Sequence, residues 1–163
     1  MTTFLDEHGV RITYDVHSAK APKGVILLVH GLGDHSRRYA KPIAAFVSAG
    51  FTVYAPDMRG HGRTGLEQWA GDESQLGHLG PGGLRATISN LRQMTTVIRD
   101  ENPKLPIFFL GHSMGSLQGQ ILINTDAQRY AGVILSGTAY RRPGFMNAGD
   151  LNKRFAIPGG TGN

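Results

Sequence analysis

A serine stands between two glycines in the run Gly111-His112-Ser113-Met114-Gly115. Small residues at these two positions let a serine occupy a strained turn between a strand and a helix, with its hydroxyl presented to a substrate. The apolar run 107–110 predicts the strand, and residues 116–123 predict the helix. Ser113 is therefore predicted to be a nucleophile, with backbone N–H groups at the helix N-terminus stabilising an oxyanion. The alternative is a structural serine in a glycine turn.

A second glycine-rich run, His30-Gly31-Leu32-Gly33-Asp34-His35-Ser36, follows the apolar residues 25–29. Glycines here let backbone N–H groups approach a reacting oxygen closely, so the run predicts the other half of an oxyanion hole. Taken alone, it favours a structural turn with two histidines. Together with the Ser113 motif it favours a site, because both runs stand at the carboxyl ends of predicted parallel strands, where open α/β sheets bind ligands.

A third run, Asp57 to Thr64, follows the predicted strand 51–55 and contains a rival motif. Gly60, Gly62 and Gly65 spell the dinucleotide fingerprint G-x-G-x-x-G. Pro56 to Arg59 separate these glycines from the strand, and residues 66–71 are predicted to be a poor helix, so we disfavour nucleotide binding. His61 could act as a base or bind a metal, but the pattern favours a loop histidine held by backbone hydrogen bonds.

Four short apolar runs do not alternate with polar residues, which is typical of strands buried on both faces. These runs are 25–29, 51–55, 107–110 and 133–135. A helix is predicted to begin near Pro42 and to stop at Gly50. Another is predicted over 84–98, where apolar residues recur three and four positions apart. Residues 11–16 alternate and predict a leading strand, in a hairpin with Phe4-Leu5. The order predicts an α/β fold, a mostly parallel sheet flanked by helices on both faces.

Composition excludes several classes of protein. The chain has 163 residues, 40% of them hydrophobic, which is enough for one domain with a buried core. It contains no cysteine, so disulfides, thiolate nucleophiles and cysteine-ligated metals are excluded. The net charge of +5 is not clustered, and we expect no nucleic-acid partner. No apolar run approaches the roughly 18 residues of a membrane span, and the first residues do not resemble a signal peptide, so we predict a cytoplasmic protein.

These three runs, in this order, resemble the N-terminal part of an α/β-hydrolase over roughly residues 10–140. The group is the monoacylglycerol lipase and lysophospholipase-like one, of the serine aminopeptidase S33 type. Carried over residue by residue, the resemblance implies Ser113 as nucleophile and the backbone N–H groups of Leu32 and Met114 as oxyanion donors. It also implies that the 57–62 loop shapes the pocket and supplies no base. The other residues implied to shape the pocket are His30, Gly31, Gly33, Gly111, His112 and Gly115.

The resemblance further implies a serine hydrolase that cleaves carboxylic esters through an acyl-enzyme on Ser113. The expected substrates are small acyl esters of the monoacylglycerol or lysophospholipid type, and the sequence leaves open a transient contact with a membrane surface. No metal or organic cofactor is expected. One departure is Ser116, where this group often has a second glycine, and we expect it to have little effect.

The residues that would activate Ser113 are not evident in this sequence. In this fold the acid and the histidine of the triad follow the serine along the chain. No histidine follows Ser113, and neither Asp126 nor Asp150 follows a further predicted strand. We therefore expect residues 1–140 to form the N-terminal part of a core that is incomplete at its C-terminus, and residues 141–163 to begin a lid or form an irregular tail.

Two hypotheses account for the missing acid and base. The first is that they come from sequence beyond residue 163, or from a second polypeptide that completes both the sheet and the triad. The alternative is a non-catalytic, hydrolase-like binding module, for which their absence is the natural state. An unassisted serine hydroxyl is a poor nucleophile at neutral pH, so the two hypotheses predict different reactivity for Ser113.

Overall fold

A computed structural model describes residues 2–138 of the chain. Within that range the strands are β1 (Thr2–Leu5), β2 (Arg11–His17), β3 (Gly24–Val29), β4 (Phe51–Pro56), β5 (Ile107–His112) and β6 (Gly132–Ser136). The α-helices of the same range are α1 (Ala40–Ser48), α2 (Gly62–Gln68), α3 (Gly83–Glu101) and α4 (Met114–Asp126). Three short 3-10 turns, at Ser36–Tyr39, Glu73–Gln75 and Ala127–Arg129, complete the regular elements.

The six strands form a single sheet in the order β1-β2-β4-β3-β5-β6. The inner strand β3 pairs in parallel with both β4 and β5, and β5 pairs in parallel with β6. At the other side of the sheet, β1 and β2 form an antiparallel hairpin, and β2 pairs antiparallel with β4. This arrangement confirms the predicted α/β class, the mostly parallel sheet and the leading hairpin.

Both faces of the sheet are covered, because alternate residues of β3 point into two separate cores. Val25, Leu27 and Val29 pack with buried side chains of α3 and α4 on one face. Ile26 and Leu28 pack on the other face, against the side of α1. Every residue of β3 is buried, which explains its unalternating apolar sequence.

The three helices predicted from the sequence are present as α1, α3 and α4, whereas the prediction for residues 66–71 is wrong in part. The chain leaves α1 at Gly50 with φ +86°, as predicted, and α3 contains the whole of the predicted helix 84–98. Residues 66–71 were predicted to be a poor helix, which is wrong for residues 66–68, because α2 continues to Gln68, and correct for residues 69–71, which lie outside the helix. Its stability comes from tertiary contacts that a local pattern does not encode. Thr64 on α2 is buried, and its hydroxyl oxygen accepts the backbone N–H of Thr13 on β2 at 2.9 Å.

The predicted boundary between a core of residues 1–140 and a lid or tail of residues 141–163 lies outside the described residues. Among the helices of residues 2–138, none combines the length and the apolar character that crossing a bilayer requires.

A buried ion pair ties the β1–β2 hairpin to the loop that follows β4. The side chains of Arg59 and Asp6 are 0% and 1% exposed and are in direct contact. Asp6 also accepts two backbone N–H groups of its own hairpin turn, and Arg59 donates to two carbonyls of the 79–81 segment. Burial raises the pKa of Asp6, but these hydrogen bonds and the guanidinium outweigh it, so the pKa lies below its ordinary value.

Removing Arg59 should destabilise the fold far more than removing an exposed arginine. Arg59→Met leaves the Asp6 carboxylate buried without its cation, a change that typically costs about 3–5 kcal/mol. Arg11→Met is the matched control, because Arg11 pairs with Glu67 at 2.7 Å while both side chains are nearly half exposed. We expect the control to change the free energy of unfolding by less than about 1 kcal/mol. Urea unfolding measures both variants, and equal losses would contradict this account.

Candidate active site

The two glycine-rich runs that the sequence singled out meet at one edge of the sheet. The register of β3 and β5 places Val29 beside Gly111, so the residues that follow each strand are neighbours. A Cβ built on Gly31 would lie 3.2 Å from the Cβ of Ser113. The loop after β3 therefore runs directly alongside the predicted nucleophile, at the carboxyl ends of parallel strands.

Ser113 occupies a strained turn between β5 and α4. Its backbone has φ 51° and ψ −113°, and it is one of only two non-glycine residues with positive φ in the described range. Positive φ in a residue with a side chain costs of order 1–3 kcal/mol and persists only where the surroundings impose it. The N–H of Ser113 donates to the carbonyl of Ser136 at the end of β6 at 2.9 Å, which holds the turn from one side. The side chain itself is half-buried.

The flanking glycines are required by backbone contacts. A Cβ on Gly115 would lie 2.4 Å from the carbonyl oxygen of Val29, and one on Gly111 would lie 2.4 Å from the carbonyl oxygen of Gly115. Real Cβ atoms do not approach other atoms this closely. The first turn of α4 thus packs against the backbone of β3, and this packing leaves Ser113 at the bend.

Two backbone N–H groups belong to residues next to the contact between Gly31 and Ser113, because Met114 follows Ser113 and Leu32 follows Gly31. Neither Leu32 nor Met114 donates its N–H to an acceptor within residues 2–138. Met114 is the first residue of α4, where N–H groups have no partner inside the helix and the helix dipole favours negative charge. The side chain of Leu32 is 38% exposed, so the loop carries an apolar group at the surface next to the site.

Ser116 has a contact that the sequence did not predict. Its hydroxyl donates to the carbonyl oxygen of Ser113 at 2.6 Å, and the same carbonyl accepts the backbone N–H groups of Ser116 and Leu117. A serine at the third position of a helix can reach back to the carbonyl three residues earlier, which is the signal that could have revealed it. Ser116 is fully buried and helps to hold the main chain of the turn.

His30 is buried beneath the loop and has both ring nitrogens occupied. Nε2 lies 2.9 Å from the N–H of Met58, which can only donate, and Nδ1 lies 2.8 Å from the carbonyl oxygen of Gly31. Burial lowers the pKa of His30 to about 4, against a smaller opposing effect of the Gly31 carbonyl. His30 is therefore a neutral ring at physiological pH, with no free nitrogen for the proton of Ser113.

The loop after β4 is anchored by Asp57. This carboxylate is 1% exposed and accepts the backbone N–H of Ser36 at 2.8 Å and the guanidinium Nε of Arg63 at 2.6 Å. Burial raises the pKa of Asp57, but the hydrogen bonds from Arg63 and Ser36 lower it by a larger amount. The pKa of Asp57 therefore lies below its ordinary value. Asp57 thus joins the loop after β4 to the loop after β3.

His61 lies near His30, with ring centroids 5.3 Å apart. Its Nδ1 lies 2.8 Å from the carbonyl oxygen of Arg59, in agreement with the predicted loop histidine held by the backbone. Burial lowers its pKa. The nearby glycines of the G-x-G-x-x-G pattern face the protein itself: a Cβ on Gly60 would lie 2.2 Å from the carbonyl oxygen of His78, and one on Gly65 would lie 2.4 Å from the carbonyl carbon of Gly60.

The His112 ring lies at the same edge of the sheet as Ser113, between Gly31 and Gly137. A Cβ on Gly31 would lie 3.5 Å from the ring of His112, and a Cβ on Gly137 would lie 3.2 Å from its other side. Tyr39 meets the His112 ring edge-on at 6.3 Å between centroids, and Tyr39 donates its hydroxyl to Asp34 at 2.9 Å. The β3 loop also turns at Gly33 with φ +65°. All nine residues predicted from the sequence to form the site therefore lie in the β3 loop or at the β5–α4 turn.

Within residues 2–138, no hydrogen bond joins the Ser113 hydroxyl to a base. Asp126 lies at the far end of α4 and pairs with Arg92 at 2.9 Å. It is therefore not placed to orient a histidine at Ser113. Asp150 lies outside the described residues.

The fold and the serine turn define the α/β-hydrolase class. The sheet order, the helices on both faces and a nucleophile-type turn after β5 are the features of that fold. The sequence pattern of the family described as "Serine aminopeptidase, S33" (Hydrolase_4) matches residues 20–156. The chain belongs to this family.

Relatives with curated names include lipases. The chain is 36% identical over 141 residues to the monoacylglycerol lipase of Mycolicibacterium smegmatis, covering 84% of this chain and 46% of that protein. It is 32% identical over 117 residues to the monoglyceride lipase of Homo sapiens, covering 70% of this chain and 34% of that protein. The chain thus spans less than half the length of these curated relatives.

A solved structure with the same fold is a highly thermostable carboxyl esterase from Bacillus coagulans in complex with glycerol. The two structures superpose with a TM-score of 0.79 and 33% sequence identity, over 94% of this chain and 47% of the esterase. These comparisons confirm the predicted resemblance and the predicted fold class.

A methyl group on Gly115 should displace the Ser113 turn. Gly115→Ala places a Cβ against the Val29 carbonyl, and relieving such overpacking typically costs about 1–3 kcal/mol. Gly132→Ala is the control, because Gly132 also lacks a positive φ, while a Cβ built on it would meet only the side chain of Phe108, at 3.1 Å, and no backbone atom. We expect thermal denaturation to show the larger loss of stability for Gly115→Ala, together with loss of any Ser113 reactivity. Wild-type reactivity in a folded Gly115→Ala variant would show that the contact does not position the turn.

Proposed function

We propose that this chain carries the nucleophile and the oxyanion hole of a serine hydrolase that cleaves carboxylic esters. The observation that carries the proposal is the backbone of Ser113, held at φ 51° and ψ −113° between β5 and α4 with its side chain half-buried. Backbone strain of this kind lowers stability and persists only where the surrounding structure imposes it, and it is found most often at functional sites. The N–H groups of Leu32 and Met114, one residue from Gly31 and from Ser113, donate to no acceptor within residues 2–138, which supports a site built to receive a negatively charged oxygen.

The reaction proceeds in two steps. The Ser113 Oγ forms a bond to the ester carbonyl carbon while a base takes its proton, and the carbonyl oxygen becomes an oxyanion held by the N–H groups of Leu32 and Met114. The intermediate collapses, the alcohol leaves with the proton returned by the base, and an acyl-enzyme remains. Water, deprotonated by the same base, then releases the carboxylic acid and restores Ser113.

The proposal places the acid and the base outside the described residues. His30 is fully occupied by its two hydrogen bonds, and no histidine follows Ser113 in this sequence. The triad histidine then belongs to polypeptide outside residues 1–163, on the same chain or on a second one. The relatives support the same arrangement, because this chain covers 46% of one of them and 34% of the other.

The proposed substrate is a carboxylic ester with one acyl chain, of the monoacylglycerol or lysophospholipid type. Two curated relatives named for monoacylglycerol or monoglyceride hydrolysis support this class, as does an esterase of the same fold in complex with glycerol. The exposed Leu32 beside the oxyanion donors supports an apolar substrate. Such a substrate also implies transient contact with the lipid surface that contains it.

A fluorophosphonate probe should label Ser113 in the complete protein, which includes the polypeptide that supplies the triad acid and histidine. The probe reacts only with an activated serine, because its phosphorus requires attack by an alkoxide-like oxygen stabilised by an oxyanion hole. Ser113→Ala should abolish labelling and lower ester hydrolysis by roughly 10⁴-fold or more. Ser48→Ala, on the exposed end of α1, is the matched control and should label like the wild type. No labelling of the wild-type protein, where a related esterase reacts, would favour a non-catalytic binding module.

A monoacylglycerol should be hydrolysed faster than an aminoacyl anilide. Cleavage of an amide requires protonation of a poor leaving amine, whereas an ester expels its alcohol more readily, so we expect a difference of about tenfold or more in kcat/KM. Triacylglycerol and lysophospholipid emulsions assayed in parallel define the acyl-chain and head-group preference. Faster cleavage of the anilide, abolished by Ser113→Ala, would replace the ester proposal with a peptidase one.

A further inference from the structure

The N–H of Leu32 and the carbonyl of Gly31 belong to the same peptide group. The described residues contain no cis peptide bond, so this group is planar and trans, with its C=O and N–H pointing in opposite directions. Fixing the direction of the Gly31 carbonyl therefore fixes the direction of the Leu32 N–H. Any group that binds the Gly31 carbonyl controls one of the two proposed oxyanion donors.

The group that binds this carbonyl is the imidazole of His30. The Met58 N–H is a donor, so the Nε2 atom that it contacts at 2.9 Å must be the acceptor. In a neutral ring the proton then resides on Nδ1, which donates to the Gly31 carbonyl at 2.8 Å. The ring is 0% exposed, so water does not compete for either bond.

We propose that His30 is a positioning residue for the oxyanion hole: its Nδ1–H holds the Gly31–Leu32 peptide so that the Leu32 N–H faces the acyl oxygen of the substrate. This inference rests on the proposed function and adds to it the tautomer, the partner carbonyl and the donor that depends on them. His30 does not touch the substrate and transfers no proton. The bond from Met58 selects the tautomer, so the loop after β4 sets the orientation of a peptide in the loop after β3.

The peptide has little else to hold it. The Leu32 side chain is partly exposed, and Gly31 has no side chain to anchor the peptide; a Cβ built on it would lie 3.2 Å from the Ser113 Cβ. A glycine peptide can rotate readily when its carbonyl is released. Rotation would turn the Leu32 N–H away from the direction that the bond to the Gly31 carbonyl fixes.

Two substitutions separate the hydrogen bonds of His30. The amide nitrogen of asparagine occupies nearly the position of Nδ1, so His30→Asn retains a donor to Gly31 and loses the acceptor for Met58. The longer glutamine reaches the position of Nε2, so His30→Gln retains the acceptor and loses the donor. Thr95→Val is a stability control, since it removes a buried hydroxyl that donates to Leu91 at 2.7 Å on α3.

The experiment measures ester hydrolysis and fluorophosphonate labelling of these variants in the complete protein, with the polypeptide that supplies the triad histidine present. We expect His30→Gln to lower kcat roughly 10- to 100-fold with KM nearly unchanged, because a transition-state contact is lost. His30→Asn should stay within about fivefold of the wild type, and Thr95→Val should lower the melting temperature without lowering kcat. Equal losses in the two His30 variants, or a greater loss in His30→Asn, would overturn the proposal.

A spectroscopic measurement keeps the inference testable if the variants do not fold. The ¹⁵N chemical shifts of the wild-type His30 ring distinguish a protonated Nδ1 from a protonated Nε2. The proposal requires the Nδ1–H tautomer, and an Nε2–H tautomer would overturn it. If the wild-type protein has the Nδ1–H tautomer but does not react with the fluorophosphonate, the proposed function fails while the hydrogen bond to Gly31 stands.

Discussion

Close contact between the first turn of α4 and the backbone of β3 is the constraint on which the candidate site depends. Gly115 lies against the Val29 carbonyl and Gly111 lies against the Gly115 carbonyl, so α4 begins where neither residue has a side chain. Because the helix begins there, the single residue between strand and helix must bend sharply, and Ser113 takes a positive φ. The strain is small compared with the two buried cores on either face of the sheet, which hold both elements in place.

Buried polar groups determine how precisely the neighbouring loops are held. His30 joins the loops after β3 and β4 through two backbone groups, and Asp57 joins them again through Ser36. Hydrogen bonds shielded from water are costly to break, because each released group would remain buried without a partner. N–H donors held in this way need little reorganisation when negative charge develops on a substrate oxygen. These shielded bonds are the physical reason why a site built on loops can be rigid.

Glycines that are indistinguishable in sequence have different roles in the fold. Gly60 and Gly65 are needed because the protein's own backbone lies against them, which accounts for the G-x-G-x-x-G spacing without a nucleotide. Gly31 has little room for a side chain because Ser113 lies against it, and this contact brings the loop after β3 beside the candidate nucleophile. Closely spaced glycines therefore indicate that other atoms lie close to their backbone. Which atoms these are distinguishes a glycine that the fold requires from one that the candidate site requires.

Much of this architecture could be predicted from the sequence, because its signals are local. Buried strands lack alternation, α3 repeats its apolar residues at helical spacing, and a serine between two glycines predicts a strained turn. Three features were not predicted from the sequence. They are the helical character of residues 66–68, the bond from Ser116 to the Ser113 carbonyl and the bond from Met58 to His30. The bond from Thr13 to Thr64 on α2 and the bond from Met58 to His30 join residues that are far apart in the sequence. The pairing of β4 with β2 and with β3 decides which of these groups meet. The sequence by itself thus determined the α/β class and the candidate nucleophile. The tertiary structure decided which backbone groups surround that nucleophile, because long-range contacts depend on how the sheet and helices pack and not on any local pattern.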